Sequence, residues 1–158
     1  MVRPFDCKLE NDDNIGEVFQ ILGSGNGLVC IGREQDIFLL NPFSGESMKI
    51  PRQYLSQLGF DSFGGYGFGY DKAHNDYNVV AIVGDTGCFY SLRSTFWRLT
   101  EGDLMNRKVE YNIDRGVVLN GGIHWAVTFV GPGYDDDVRV IVVFDFESRR
   151  IWGDSYSG

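Results

Sequence analysis

A strand–turn–strand pattern in the stretch Gly23–Pro51 constrains the fold of this chain more than any other feature. Its apolar runs are too short for helices and rich in β-branched or aromatic residues, which predicts strands at Gly27–Ile31, Asp36–Asn41 and Ser47–Ile50. The connection Asn41–Gly45 contains a proline, which fixes φ, and ends on a glycine, which permits positive φ. The stretch is therefore predicted to be a β-meander with a tight second turn.

The same arrangement recurs twice further along the chain. When the ends of the equivalent strands are aligned, Asn41, Ser91 and Asp145 fall 50 and 54 residues apart. A period near 50 residues with about four strands per unit is typical of a kelch-like propeller blade. We therefore predict an all-β fold: a partial kelch-like β-propeller of about three blade-like antiparallel meanders, with little or no helix.

One segment departs from the strand pattern. Within Pro51–Ser62, the apolar residues Tyr54, Leu55 and Leu58 have helical spacing, which predicts one short helical turn there and nowhere else. The glycine-rich segment Gly23–Gly27 predicts the turn that leads into the first meander.

Composition limits the partners and the compartment. With 158 residues, 43% of them hydrophobic, the chain is long enough to form one domain with its own core. Its net charge of −8 argues against nucleic acids and anionic membranes as partners. Cys7, Cys30 and Cys88 are odd in number and lack metal-ligand spacing, which favours small buried side chains in a reducing compartment. We expect a protein of the cytoplasm, the nucleus or both.

Acidic residues raise the alternative of a hydrolytic or carbohydrate-binding β-propeller. Asp71, Asp76 and Asp85 would then converge in a central funnel, with at least two acids at a catalytic separation. The triplet that begins at Asp85 also matches the aspartic-protease motif, in which two such loops share one proton. Because only one copy occurs and a glycine precedes it, a hairpin turn is the favoured interpretation.

The remaining polar candidates favour structural roles. His74 lies in a polar loop and His124 on a predicted strand, and neither accompanies a nucleophile motif. His124 is predicted to be a hydrogen-bonded, half-buried residue. Asp71, Asn75 and Asp76 could contact calcium, but their spacing does not match an EF-hand loop and favours a solvated turn. We expect no catalytic residue, no metal, no cofactor and no enzymatic activity.

Three aromatic residues are candidates for binding a protein partner. Phe63, Tyr66 and Tyr134 lie in or beside glycine-rich loops, whereas the tryptophans lie on predicted strands. Aromatic loop residues on a rigid β scaffold are the type that anchors protein partners. We therefore predict these three as protein-binding residues.

Six segments follow one another in a distinctive order: Gly23–Ile31, Leu40–Pro51, Gly67–Ile82, Tyr90–Leu99, Gly116–Val127 and Ile141–Ile151. Together they resemble the plant F-box-associated domain, type one, over roughly residues 20–152. Their conjunction is far more specific than any one of them. The resemblance implies a single, incomplete F-box-associated β-propeller domain over residues 1–158.

The resemblance also implies a function. This family recruits protein substrates for F-box adaptors of cullin–RING ubiquitin ligases, and it is not enzymatic. We expect a substrate-recognition module that binds a protein for ubiquitination. The F-box that precedes the domain in the family and docks the ligase core is not present in this chain, so the ligase core is expected to be reached only through such an F-box. A non-functional truncated product is a further alternative.

Overall fold

The computed structural model describes residues 3–4, 19–33, 36–57, 65–83, 86–103, 115–129 and 138–155. Two compact units, residues 1–63 and 64–158, make up the chain. The predicted single domain over residues 1–158 stays a prediction.

The first unit is a five-stranded antiparallel sheet followed by a short helix. In chain order it contains β1 (Arg3–Pro4), β2 (Phe19–Gly25), β3 (Leu28–Arg33), β4 (Asp36–Leu40), β5 (Glu46–Ile50) and α1 (Gln53–Gln57). The sheet order is β1-β5-β4-β3-β2, so β2 to β5 form the predicted meander and β1 covers its outer edge. The helix lies within the segment predicted to contain one and buries Leu55.

The turn between β2 and β3 is shorter than the sequence predicted. Only Asn26 and Gly27 form it, both with positive φ (47° and 87°), a conformation that an Asn-Gly pair adopts readily. The predicted turn over Gly23–Gly27 is therefore wrong in its first half. β2 continues to Gly25 because a bulge between Ile21 and Gly23 shifts the register without ending the pairing.

The second unit contains two sheets. Its strands are β6 (Tyr66–Asp71), β7 (Asp76–Val83), β8 (Thr86–Ser91), β9 (Phe96–Leu99), β10 (Glu101–Asp103), β11 (Val117–Leu119), β12 (Gly122–Phe129), β13 (Val138–Asp145) and β14 (Arg150–Ser155). One sheet has the order β6-β7-β8-β9 and the other β10-β14-β13-β12-β11. All neighbours are antiparallel except β10 and β14, which pair in parallel. The predicted all-β fold of three blade-like meanders with little helix is confirmed.

The two sheets of the second unit share an apolar core. Its buried members are Val80, Ile82, Phe89, Ile123, Trp125, Val127, Val140, Val142, Phe144, Phe146 and Ile151. The sheets approach closely where β6 meets β12, because Gly67 leaves room for the Trp125 ring. The Trp125 indole N–H also donates a hydrogen bond to the Tyr66 carbonyl at 3.2 Å. Backbone and side chain thus fix the distance between these sheets.

Two of the three cysteines are buried, as predicted. Cys30 on β3 and Cys88 on β8 are free thiols without solvent exposure. Burial raises the pKa of Cys88 to about 12 and raises the pKa of Cys30 further, so both behave as small apolar side chains. Cys7 lies outside the described residues.

The described part of the chain contains no helix with the length and apolar character needed to cross a bilayer.

We expect Gly67→Ala to lower the free energy of unfolding by about 1–3 kcal/mol, because the added methyl overpacks the core. A Cβ at this position would lie 2.6 Å from Ile123 Cγ2 and 2.8 Å from Trp125 Cζ2. Gly153→Ala on β14 is the comparison variant with the smaller expected loss, since its Cβ would lie 3.0 Å from Val140 Cγ1, a tight contact that a shift of a few tenths of an ångström relieves. Chemical denaturation of both variants measures the difference, and equal losses would contradict the close approach of the sheets.

Candidate functional site

Four connections of the second unit emerge at the same end of its two sheets. They join β6 to β7, β8 to β9, β11 to β12 and β13 to β14, and alternate connections of a meander lie at one end because its strands are antiparallel. We call this surface the turn end: residues 71–76, 91–96, 119–122 and 145–150. A buried network of charged and polar side chains lies directly beneath it.

Asp71, the last residue of β6, organises the first of these turns. Its side chain is fully buried, and Oδ1 accepts a hydrogen bond from the backbone N–H of His74 at 3.1 Å. Oδ2 lies 2.6 Å from His74 Nδ1 and 3.5 Å from Asn78 Nδ2. The aspartate therefore closes its own turn and orients the imidazole, which is 37% exposed.

Asp76, the first residue of β7, organises the neighbouring turn. Its buried carboxylate accepts hydrogen bonds at Oδ1 from the backbone N–H of Tyr77 at 2.8 Å and of Arg93 at 3.0 Å. At Oδ2 it accepts a hydrogen bond from the Ser91 hydroxyl. The Ser91 oxygen in turn accepts one from the backbone N–H of Ser94 at 3.2 Å. One carboxylate thus holds the first half of the β8–β9 turn against β7.

Arg149 supplies the cation for both carboxylates and comes from the other sheet. Its Nη2 lies 3.3 Å from Asp76 Oδ2 and 3.9 Å from Asp71 Oδ2. The guanidinium also lies over the ring of Phe89, with Cζ 5.4 Å from the ring centroid. Since Arg149 is in the β13–β14 turn, it joins the two sheets at the turn end.

This network has the chemistry of a structural ion cluster. Asp71 and Asp76 do come together, as the hydrolytic alternative required of two acids, but each carboxylate oxygen already accepts a hydrogen bond. Asp85, the third acid of that alternative, lies outside the described residues. Within the described ranges, no group of three or more His, Cys, Asp and Glu side chains is arranged to hold a metal ion.

The surface of the turn end combines cations with exposed apolar side chains. Lys72, Arg93 and Arg150 are exposed, and the Arg93 guanidinium donates to the His74 carbonyl at 3.1 Å. Phe96 is 65% exposed and Leu119 is 56% exposed. These side chains lie on turns whose backbones are held by the hydrogen bonds beneath them, so the positions of the turns are fixed.

Backbone strain is present in the same place. Thr95 has a φ of +60°, which is unusual for a β-branched residue, and Arg149 has a φ of +56°. The Thr95 N–H donates to the Ser91 carbonyl at 2.8 Å and the Arg149 N–H to the Asp145 carbonyl at 2.7 Å. Strained backbone tends to cluster at functional sites, where surrounding contacts hold it.

Of the three aromatic residues that the sequence predicts to bind a protein partner, only Tyr66 lies among the described residues. Tyr66 is completely buried on β6, and its side chain is not available to a partner, because residues 66–71 form a strand of the core rather than a loop. Phe63 and Tyr134 lie outside the described residues, and their binding role stays a prediction. His124 is half-buried as predicted, but its Nδ1 has no hydrogen-bond partner among the described residues.

Sequence reasoning missed the exposed aromatic residues Phe96 and Phe43. Phe96 begins the edge strand β9, and Phe43 is fully exposed in the β4–β5 turn. The position of Phe43 after Asn-Pro in a predicted turn was a usable signal. No such signal marked Phe96, since exposure there depends on which strand forms the edge of the sheet.

We expect Arg149→Met to lower the free energy of unfolding by about 3 kcal/mol, because two buried carboxylates lose their cation. Arg150→Met is the matched control: Arg150 is exposed and forms no ion pair among the described residues, so its loss should change stability by about 0.5 kcal/mol or less. Urea denaturation measures both. A similar effect of the two substitutions would contradict the role of Arg149 as the shared counterion.

We expect Thr95→Gly to raise the free energy of unfolding by about 1 kcal/mol, because glycine adopts positive φ without the strain of a β-branched side chain. Thr95→Ala is the control, since alanine removes the hydroxyl but keeps a Cβ at the same φ. Thermal unfolding should rank glycine above both threonine and alanine. Equal stability of the glycine and alanine variants would show that no strain is stored at this turn.

Comparison with known proteins gives relatives in one plant. An F-box/kelch-repeat protein of Arabidopsis thaliana is 28% identical over 120 residues, which cover 71% of this chain and 33% of the relative. A second F-box/kelch-repeat protein of the same plant is 28% identical over 149 residues, covering 90% and 37%. The F-box protein CPR1, also of Arabidopsis thaliana, is 22% identical over 161 aligned positions, covering 80% and 39%.

The chain spans about a third of the length of these curated relatives. A family model, that of the F-box associated beta propeller domain, matches residues 3–152. This match includes β1 to β13, the first three residues of β14 and nearly the whole chain. The chain belongs to the F-box associated beta propeller domain family.

Proposed function

We infer that this chain is the substrate-recognition module of an F-box-type adaptor, which binds a protein and presents it to a cullin–RING ubiquitin ligase. The observation that carries this proposal is the family match over residues 3–152, together with relatives that are F-box proteins by name. The proposed mechanism is recruitment, in which binding raises the local concentration of a target beside the ligase.

The chemistry of the described residues supports binding rather than catalysis. The buried carboxylates at the turn end are engaged by hydrogen bonds and by Arg149. Above them stands a rigid surface with exposed Phe96 and Leu119, and such apolar side chains are typical of the centres of protein interfaces. We propose that the protein acts in the cytoplasm or nucleus. We also propose that it binds its protein partner without a cofactor.

The ligase core is proposed to bind an F-box rather than the meanders described here. The two predicted aromatic anchors Phe63 and Tyr134 remain proposed contacts with the substrate. Tyr66 is not included, because its burial keeps its side chain within the core.

Affinity purification from plant cells tests the proposal. Cells expressing the tagged chain are treated with a proteasome inhibitor, so that ubiquitinated targets accumulate, and recovered proteins are quantified by mass spectrometry. We expect a specific protein that carries ubiquitin and is lost, by about tenfold or more, from a Phe63→Ala, Tyr134→Ala double variant.

Phe43→Ala is the matched control, since it removes a fully exposed aromatic residue from the first unit. It should leave recovery of that protein unchanged. Recovery of chaperones alone, or of a partner whose ubiquitination does not change when the chain is depleted, would overturn the proposed function.

A further inference from the structure

A partly exposed histidine at the turn end contacts a fully buried carboxylate. His74 Nδ1 lies 2.6 Å from Asp71 Oδ2, and the two side chains are 37% and 0% exposed. An ionised carboxylate has no proton to donate, so Nδ1 carries the hydrogen of this contact whether the imidazole is neutral or charged. Protonation of the other ring nitrogen therefore adds a positive charge beside Asp71 and leaves the hydrogen bond in place.

The charges beneath the turn end include one more anion than cation. Asp71 and Asp76 are both buried, and Arg149 Nη2 is the cationic group shared between them, at 3.9 Å and 3.3 Å from their Oδ2 atoms. One guanidinium therefore stands against two carboxylates while His74 is neutral. A protonated His74 supplies the missing positive charge, and charges that are removed from water interact more strongly than charges in solvent.

Two other cations lie near His74, and both are exposed. Arg93, in the β8–β9 turn, has its Nη1 3.1 Å from the His74 carbonyl oxygen, and Lys72 belongs to the same turn as His74. Their repulsion of a protonated imidazole is weakened by solvent and salt. The buried carboxylate at 2.6 Å is therefore the strongest influence on the charge of His74.

We propose that the contact between His74 and Asp71 is a pH-sensitive switch, which stabilises the second unit more at pH 6 than at pH 8. In the folded chain a proton on His74 lies beside a buried carboxylate, whereas in the unfolded chain the imidazole is surrounded by water. The folded state therefore binds this proton more tightly, and the free energy of unfolding rises as the pH falls. The stabilisation is complete once an unfolded histidine is also protonated, and it is lost as the pH rises and the folded His74 loses its proton.

The switch acts on two turns of the turn end. Asp71 also accepts a hydrogen bond from the backbone N–H of His74, and the His74 carbonyl accepts one from Arg93 of the neighbouring turn. The charge of His74 is thus coupled to the β6–β7 turn and, through Arg93, to the β8–β9 turn. Lower pH holds this part of the surface more firmly.

The composition of the chain makes the switch easy to isolate. Histidine is the side chain that ordinarily changes its charge between pH 5 and 8, and the chain contains two, His74 and His124. All three tryptophans, Trp97, Trp125 and Trp152, lie in the second unit. Their fluorescence therefore reports the unfolding of the unit that contains His74.

Urea unfolding of the full chain, followed by tryptophan fluorescence at pH 6, 7 and 8, tests the proposal. The His74→Gln variant keeps a side-chain N–H donor for Asp71 but has no proton to gain. We expect the equilibrium constant for unfolding of the unaltered chain to fall about fivefold from pH 8 to pH 6 relative to that of His74→Gln.

Two further variants assign the effect to this contact. His124→Gln is the matched control and should keep the fivefold change, since His124 lies half-buried on β12 and forms no ion pair among the described residues. Asp71→Asn removes the charge but keeps an acceptor for the His74 backbone N–H, so the pH dependence should disappear although both histidines remain.

Three results would overturn the proposal. The first is an equal pH dependence of the unaltered chain and the His74→Gln variant. The second is loss of the pH dependence in His124→Gln, and the third is its persistence in Asp71→Asn.

Discussion

The ion cluster between the two sheets of the second unit is the interaction on which the turn end depends. Arg149 reaches from the β13–β14 turn to carboxylates at both ends of the β6–β7 turn, and those carboxylates hold the backbone of two turns. Buried charges lose much of their hydration. The attraction between them offsets this free-energy cost only when the geometry is good and additional hydrogen bonds are present. Here backbone N–H groups, a hydroxyl and an aromatic ring supply those additional contacts.

A buried ion cluster of this kind specifies an arrangement more than it adds stability. Apolar residues of the same volume often stabilise such a contact equally well. The ion cluster permits one arrangement of the two sheets, because each donor must lie opposite its own acceptor. A fixed arrangement of the turns is therefore the physical consequence of the charges that are buried beneath the turn end.

Local features of the chain were predictable from its sequence, whereas contacts between distant segments were not. Strand alternation and the Asn-Gly turn at positions 26 and 27 depend on neighbouring residues alone, and they gave the meanders. The pairing of Arg149 with Asp76 spans 73 residues, and no local pattern marks it. Tyr66 beside its glycines looks like a loop residue until Trp125, 59 residues away, packs against its strand. Likewise β10 consists of three polar or glycine residues that become a strand only through their partner β14.

The parallel pairing of β10 with β14 has a consequence for the order in which this protein assembles during synthesis. β10 leaves the ribosome before any strand of the sheet it will join, and its partner β14 is the last strand described in the chain. Loop closure between such distant segments is slow compared with the formation of a hairpin. β10 therefore stays unpaired in the nascent chain while β11, β12 and β13 form. β14 then completes the meander and pairs with β10 in one late event.

Until that event an edge of the growing sheet is open to other chains. Aggregation of the nascent chain would therefore begin at this step, and a chaperone would protect the chain most here.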